Sequence, residues 1–193
     1  MSKFSILSSF LAVTLLFQGC SNEKKSDKQE EMIAQKAHAI LNTNQFVLQA
    51  LDNKKYVIEK KRDGFSLKNA KGKVLILDIF ATWCPPCQGE ASHLASLQKK
   101  YKKNLQVIGI TVEQNIPNSK LENFRKEFGA NYTLVNSHQN RLIIDAIATQ
   151  LKIGKNFGIP LMALYKDGKL INFYQGATEE EFIESDIKKA LGK

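Results

Sequence analysis

The residues of this 193-residue chain best suited to chemistry are the two cysteines of Trp83-Cys84-Pro85-Pro86-Cys87. Two thiols separated by two residues can close a disulfide across one helical turn. The pair stands where an apolar run, residues 74–80, gives way to helical spacing that begins at Pro85. A thiol at a helix start meets unpaired N–H groups and the positive end of the macrodipole, both of which favour the thiolate. Pro85 suits the first helical position, where an N–H would be unpaired in any case. Cys84 is then the accessible nucleophile and Cys87 the buried thiol that resolves its adducts. Two other uses stay open on spacing alone. A structural staple would close so small a loop that it stabilises little. A zinc site needs more ligands than one pair, and neither a second Cys pair nor ligand spacing among His38, His93 and His138 supplies them.

Asp78 interrupts the apolar run six residues before Cys84. A carboxyl in a strand covered on both faces should be pushed up by desolvation, hold a proton near neutrality and pass it through water to Cys87. The other reading is a surface-facing acid at a strand edge. Glu90 follows Cys87 by three residues, one turn along the helix, where it can touch the thiol pair or face solvent. Far down the chain, Gly158-Ile159-Pro160 precedes another apolar run. A cis peptide there would turn the Ile159 backbone outward as an edge for an extended substrate.

The elements that must hold these residues are legible from patterning. Residues 46–51 and 56–60 read as a hairpin, with Arg62-Asp63-Gly64 as punctuation after it. Residues 74–80 and 105–112 read as strands buried on both faces. Helices are expected over 85–103, 119–128 and 141–151, with a short strand at 132–135. A second hairpin, 161–165 with 170–174, turns at Lys166-Asp167-Gly168. A last helix, 179–191, carries Thr178 and Glu181 as a capping box. The result is an α/β domain with a mixed central sheet.

Composition fits one such domain with some length to spare: 43% hydrophobic and 24% charged residues, which excludes a disordered or fibrous chain. The spare length is N-terminal. Lys3, an apolar stretch over 4–17 and Gln18-Gly19-Cys20 form an export signal too short for a comfortable membrane span. Residues 21–31 are charged, lack aromatics and read as a spacer, and 30–41 could form a short amphipathic helix. The expected organisation is a signal peptide over 1–19, a tether over 20–43 and a folded domain over 44–193. The net charge of +9 would ordinarily suggest nucleic acid. Export argues against that partner and in favour of anionic headgroups or acidic proteins. The run Lys99-Lys100-Tyr101-Lys102-Lys103 is expected to face water at a helix end.

With these residues in view, VLILDIFATWCPPCQGE (residues 74–90) resembles the active-site segment of thioredoxin-like proteins of the membrane-tethered TlpA and ResA type. Phe157-Gly158-Ile159-Pro160, Lys166-Asp167-Gly168-Lys169 and Gly176-Ala177 are similar to the cis-proline loop, hairpin turn and terminal glycine of the same fold. The resemblance spans residue 44 to the C-terminus. It implies a thioredoxin fold with an N-terminal β-hairpin and a central inserted αβ element within 113–153. It also implies a redox-active Cys84–Cys87 disulfide shaped by Trp83, Pro85 and Pro86, and a cis Pro160 that binds substrate together with Ile159. Residues 16–20 resemble the lipobox of bacterial lipoproteins, which implies a lipid on Cys20. Two departures matter. Asp78 stands where TlpA-type proteins often carry Asn, and Leu161-Met162 follow the proline where cytochrome c maturation thioredoxins carry Glu-Thr.

The expected protein is therefore an exported, lipid-anchored thiol:disulfide oxidoreductase of the bacterial cell envelope, on the periplasmic or outer-facing side of a membrane. It would reduce or repair disulfides of exported proteins, with cytochrome c biogenesis as a narrower possibility, and would draw electrons from a transmembrane donor. No cofactor, metal or nucleic acid is called for. The rivals are a disulfide-forming oxidant, a Sco-like copper chaperone and a thiol peroxidase. Sco-type proteins use CxxxC with a distal His, whereas this chain has CxxC and places His138 in a polar stretch. A peroxidase would want a lone cysteine backed by Thr and Arg.

Overall fold

The structure, a computed structural model, describes residues 44–193; the expected signal peptide, Cys20 and tether lie outside the described residues. Three strands come first: β1 (Gln45–Gln49), β2 (Lys55–Lys61) and β3 (Gly64–Leu67). They form an antiparallel sheet in that order. The expected hairpin is thus extended by a third strand. Arg62-Asp63-Gly64 does not end the ladder, because Lys61 pairs with Gly64 and only two residues make the turn between them.

The remaining elements are β4 (Val74–Phe80), α1 (Pro85–Lys100), β5 (Leu105–Thr111), α2 (Asn118–Phe128), β6 (Thr133–Val135), α3 (Asn140–Gln150), β7 (Leu161–Lys166), β8 (Lys169–Gln175) and α4 (Glu180–Ala190). The five strands order as β6-β5-β4-β7-β8. β4, β5 and β6 run parallel, joined by α1 and α2 as crossovers. β7 lies antiparallel on the other side of β4, and β8 follows it through a tight turn. Asp167 (φ 49) and Gly168 (φ 84) both adopt left-handed backbone there, as a two-residue turn of matching twist requires.

β4 is central and buried along its whole length, which explains its almost unbroken apolar sequence. Its side chains alternate between two cores. Val74, Ile76 and Phe80 pack with Leu94 and Leu97 of α1, Phe124 of α2 and Ile187 of α4. Leu75, Leu77 and Ile79 pack with Ile143 and Ile147 of α3 and with Phe46 and Ile58 of the small sheet. Asp78 shares the parity of the first set, so its carboxyl enters the core under α1, α2 and α4.

Beside Asp78 in the ladder stands Gly109. A Cβ at Gly109 would lie 2.8 Å from Leu134 Cδ2, 3.0 Å from Tyr132 Cε2 and 3.2 Å from Phe80 Cε1. The missing side chain is the space that the Tyr132 ring uses. Gly109→Ala is therefore expected to lower stability by roughly 1–3 kcal/mol through overpacking, read from urea unfolding midpoints. A loss near zero would mean that Tyr132 and Leu134 move aside freely.

Candidate active site

Cys84 is the N-cap of α1, with extended backbone (φ −88, ψ 109), and its sulfur accepts the Cys87 N–H at 3.4 Å. Cys84 and Cys87 are joined as a disulfide with Cα atoms 5.3 Å apart. Pro85 and Pro86 occupy the first helical positions, where no N–H donor is needed. The contrast expected between an accessible Cys84 and a buried Cys87 is absent in this oxidised state: they are 4% and 3% exposed. Cys84 Sγ is covered in part by the substrate-binding loop expected from sequence, with Ile159 O at 3.8 Å. The Ile159–Pro160 peptide is cis. Next to the disulfide in sequence, Trp83 is 63% exposed, an unusual setting for an indole.

The segment entering the motif is held by residues that sequence reasoning passed over. Glu113, just past β5, accepts the Thr82 N–H at 2.7 Å and the Thr82 hydroxyl at 3.1 Å. Lys120 of α2 pairs with the same carboxylate. Burial pulls Glu113 upward, but Lys120 and the Thr82 donors prevail and hold it below the usual carboxylate range. Gln88 Nε2 donates to Thr82 O at 2.8 Å. A lone acid following a buried strand was the only sequence signal for Glu113, and it does not name Thr82 as the partner.

Behind the disulfide lies a pair of buried acids. Asp78 is 2% exposed, which removes the surface-edge reading. Tyr132 donates its hydroxyl to Asp78 Oδ2 at 3.1 Å, and Oδ1 has no partner among the described residues. Desolvation pushes Asp78 up to about 7, with the Tyr132 hydrogen bond acting against it. Tyr132 itself, buried beside a carboxyl, is raised well above the ordinary phenol. Asp78 makes no direct hydrogen bond to either sulfur. Its hydrogen-bond partner is Tyr132, the first residue of the strand expected over 132–135, and this residue lies just before the observed β6.

Glu90 is buried too, because it shares the inward face of α1 with Cys87, Ala91 and Leu94. Its expected solvent-facing alternative is excluded. Its hydrogen bond is not to the thiol pair: Oε1 accepts the Thr178 N–H at 3.1 Å. Burial pushes Glu90 up to about 8, aided by the nearby Asp78 charge and opposed by Thr178. The same contact corrects the expected capping box. Thr178 turns its N–H to Glu90 and its hydroxyl to Gly176 O, so the N-cap of α4 is Glu179 and the helix has no side-chain cap.

Near neutral pH the arrangement offers a thiol pair at a helix start, one acid poised between its two ionisation states and a second held mostly neutral. Such a site can carry out thiol–disulfide exchange and move the accompanying proton. Among the described residues, no group of three or more His, Cys, Asp or Glu is placed to hold a metal ion.

Comparison with known proteins gives the class. The Redoxin family model matches residues 44–191. The thiol-disulfide oxidoreductase ResA of Bacillus thuringiensis subsp. konkukian is 30% identical over 149 residues, covering 75% of this chain and 73% of ResA. Among solved structures, a thiol:disulfide interchange protein of the thioredoxin family from Chlorobium tepidum aligns with TM-score 0.61 and 24% identity. The match covers 78% of this chain and 95% of that one. StoA from Bacillus subtilis shares the fold at TM-score 0.53 and 18% identity, over 74% and 95% of the two chains. The chain belongs to the redoxin family. Within the thioredoxin superfamily it is of the TlpA/ResA type, and it is a thiol–disulfide oxidoreductase.

The buried acids carry a pH signature. A carboxyl raised on folding binds its proton more tightly in the folded chain, so stability falls as pH rises from the unfolded value near 4 through the folded value. For Asp78 and Glu90 that window closes at about 7 and about 8. The lowered carboxylates, such as Glu184 at about 2, act in the opposite sense and below this window. The oxidised protein should therefore lose stability between pH 5 and pH 8.5, and Asp78→Asn and Glu90→Gln should each flatten the fall. Equal slopes for parent and variants in urea titrations at both pH values would refute the assignment.

Proposed function

We propose that this oxidoreductase works outside the cytoplasm, tethered through a lipid on Cys20, and reduces or repairs disulfides of exported proteins. The observation that carries the reading is the Cys84–Cys87 pair at the start of α1, set against Ile159 O and backed by a buried acid. In the reduced state Cys84 acts as thiolate, favoured by the Cys87 N–H and the helix dipole. It attacks one sulfur of the partner disulfide; the partner S–S bond breaks and its electron pair leaves on the other partner sulfur. Cys87 then gives its proton to Asp78 and attacks Cys84. The mixed disulfide breaks, the partner leaves fully reduced, and this chain is left oxidised. The outer compartment does not re-reduce it, so a transmembrane electron donor is needed to restore the dithiol.

The docking surface in this reading is the exposed Trp83 with the backbone of Ile159 and Pro160, which suits an extended segment around the target cysteine. An acid at 78 and the WCPPC sequence favour the reducing direction. Leu161 and Met162 after the proline argue against a role confined to cytochrome c biogenesis.

The test joins potential and partners. The Cys84–Cys87 couple is expected near the reducing value of about −270 mV, and a value near −120 mV would establish the disulfide-forming oxidant instead. Full-length Cys87→Ala, expressed in cells, should accumulate mixed disulfides with many unrelated exported proteins. Capture of apocytochromes and electron-transfer partners alone would narrow the function to cytochrome c assembly, and capture of none would sink the reading.

A further inference from the structure

We propose that Tyr132 is a positioning residue of the redox reaction: its phenol, seated in the space left by Gly109, donates to one Asp78 oxygen and keeps Asp78 available as the base that receives the Cys87 proton. The inference rests on the reading of Asp78 given above and adds to it a residue to which neither the sequence pattern nor the family match assigns a role.

Three observations converge on Tyr132. The ring is almost fully buried, and its hydroxyl lies 3.1 Å from Asp78 Oδ2. Its Cε2 would stand only 3.0 Å from a Cβ at position 109, the residue that pairs with Asp78 across the ladder. The phenol thus reaches Asp78 over a neighbouring strand that has been stripped of its side chain to admit it. And among the described residues Tyr132 is the one hydrogen-bond donor to Asp78, so this bond bears directly on how the carboxyl is oriented and how well its ionised form is tolerated.

The surroundings leave little else to do that work. From α1, Glu90 is near enough for the Asp78 charge to raise it, and Cys87 is buried on the same helix one turn before it. From α2, Arg125 acts on Tyr132 and is paired with Glu122. β7 presents the apolar Met162 beside Asp78, and the buried acid of α4, Asp186, is turned to Tyr174 and Asn172.

The chemical consequence has a definite sign. A hydroxyl that donates to a carboxylate stabilises the ionised form, so its removal makes Asp78 hold its own proton more tightly and act as a poorer base at neutral pH. Resolution of the mixed disulfide is the step affected, since there the Cys87 proton leaves while sulfur attacks sulfur.

The step can be read directly. Reduced full-length protein reacts with 5,5′-dithiobis(2-nitrobenzoate) at Cys84 and releases one coloured thiolate; attack by Cys87 releases the second, and its rate is followed against pH. In the parent, the acid limb of that second rate reflects Asp78. Tyr132→Phe keeps the ring and should move the limb upward by roughly one pH unit, the size of a hydrogen bond to a charged group. In an Asp78→Asn background the same substitution should move nothing. Site-specific 3-fluorotyrosine at position 132, a stronger donor of nearly the same shape, should move the limb downward and decides the matter even if Tyr132→Phe folds poorly. If Asp78→Asn alters the profile while both Tyr132 replacements leave it in place, the role of Tyr132 is overturned and that of Asp78 stands. If Asp78→Asn leaves the profile unchanged, both are overturned.

Discussion

A carboxyl set in the middle strand of a five-stranded sheet gives up nearly all of its hydration, and a protein must either neutralise it or surround it with donors. Among the described residues Asp78 has one donor, Tyr132, whose hydrogen bond works against the desolvation that raises the carboxyl. The balance leaves it at about 7, on the border between its two forms. Full neutralisation would make it a packing residue. More donors would make it a permanent anion with no affinity for a thiol proton. Burial in β4 and the opposing Tyr132 hydrogen bond together set it between these limits.

The same strand also delivers the cysteines. β4 runs out of the sheet into the segment 81–83, and α1 starts at once with Cys84 as its cap. Cys84, the proposed nucleophile, is therefore placed by backbone geometry at the helix terminus, whereas Asp78, the proposed proton carrier, is placed by strand register in the core. These placements are rigid for different reasons. Cys84 depends on Thr82 being tied down by Glu113 and Gln88. Asp78 depends on the ladder to β5 and β7 and on the gap at Gly109. Glu90 links the two, since it rides on α1 one turn beyond Cys87 and fastens that helix to the backbone before α4 through Thr178.

How far this could be read from sequence follows from the range over which each determinant acts. Residues 74–80 announce a buried strand because covering on both faces demands continuous apolar residues, and Asp78 stands out against that background. The WCPPC spacing is local, as are the Asp167-Gly168 turn and the Gly129 that closes α2 in left-handed backbone. The cis Ile159–Pro160 bond was expected from resemblance to a known fold and is present. Contacts between distant segments were not legible. Nothing near Tyr132 in the chain points to a residue 54 positions earlier. The partner of Glu90 lies 88 residues away, and a local motif at Thr178 and Glu181 suggested a cap that this longer-range bond displaces. The third strand of the small sheet was hidden for a related reason. A two-residue turn leaves no stretch of polar sequence to mark it as a connection rather than an end.

The two acids and the two thiols form one charge problem. Asp78 and Glu90 already repel, which is part of why Glu90 is driven to about 8. Reduction of the disulfide adds a thiolate to the same end of the molecule, and a buried region of low dielectric tolerates little additional negative charge. Cys84 is the group equipped to bear it, because it alone has the α1 N-terminus and the Cys87 N–H as partners. Glu90 is kept neutral by burial, and Asp78 can ionise only as the remaining charge allows. In the proposed cycle, consumption of the thiolate in attacking a partner relieves that constraint, so Asp78 can release its proton to solvent and stand ionised when Cys87 must lose its own. The order of events proposed for thiol exchange is thus the one that these charges favour.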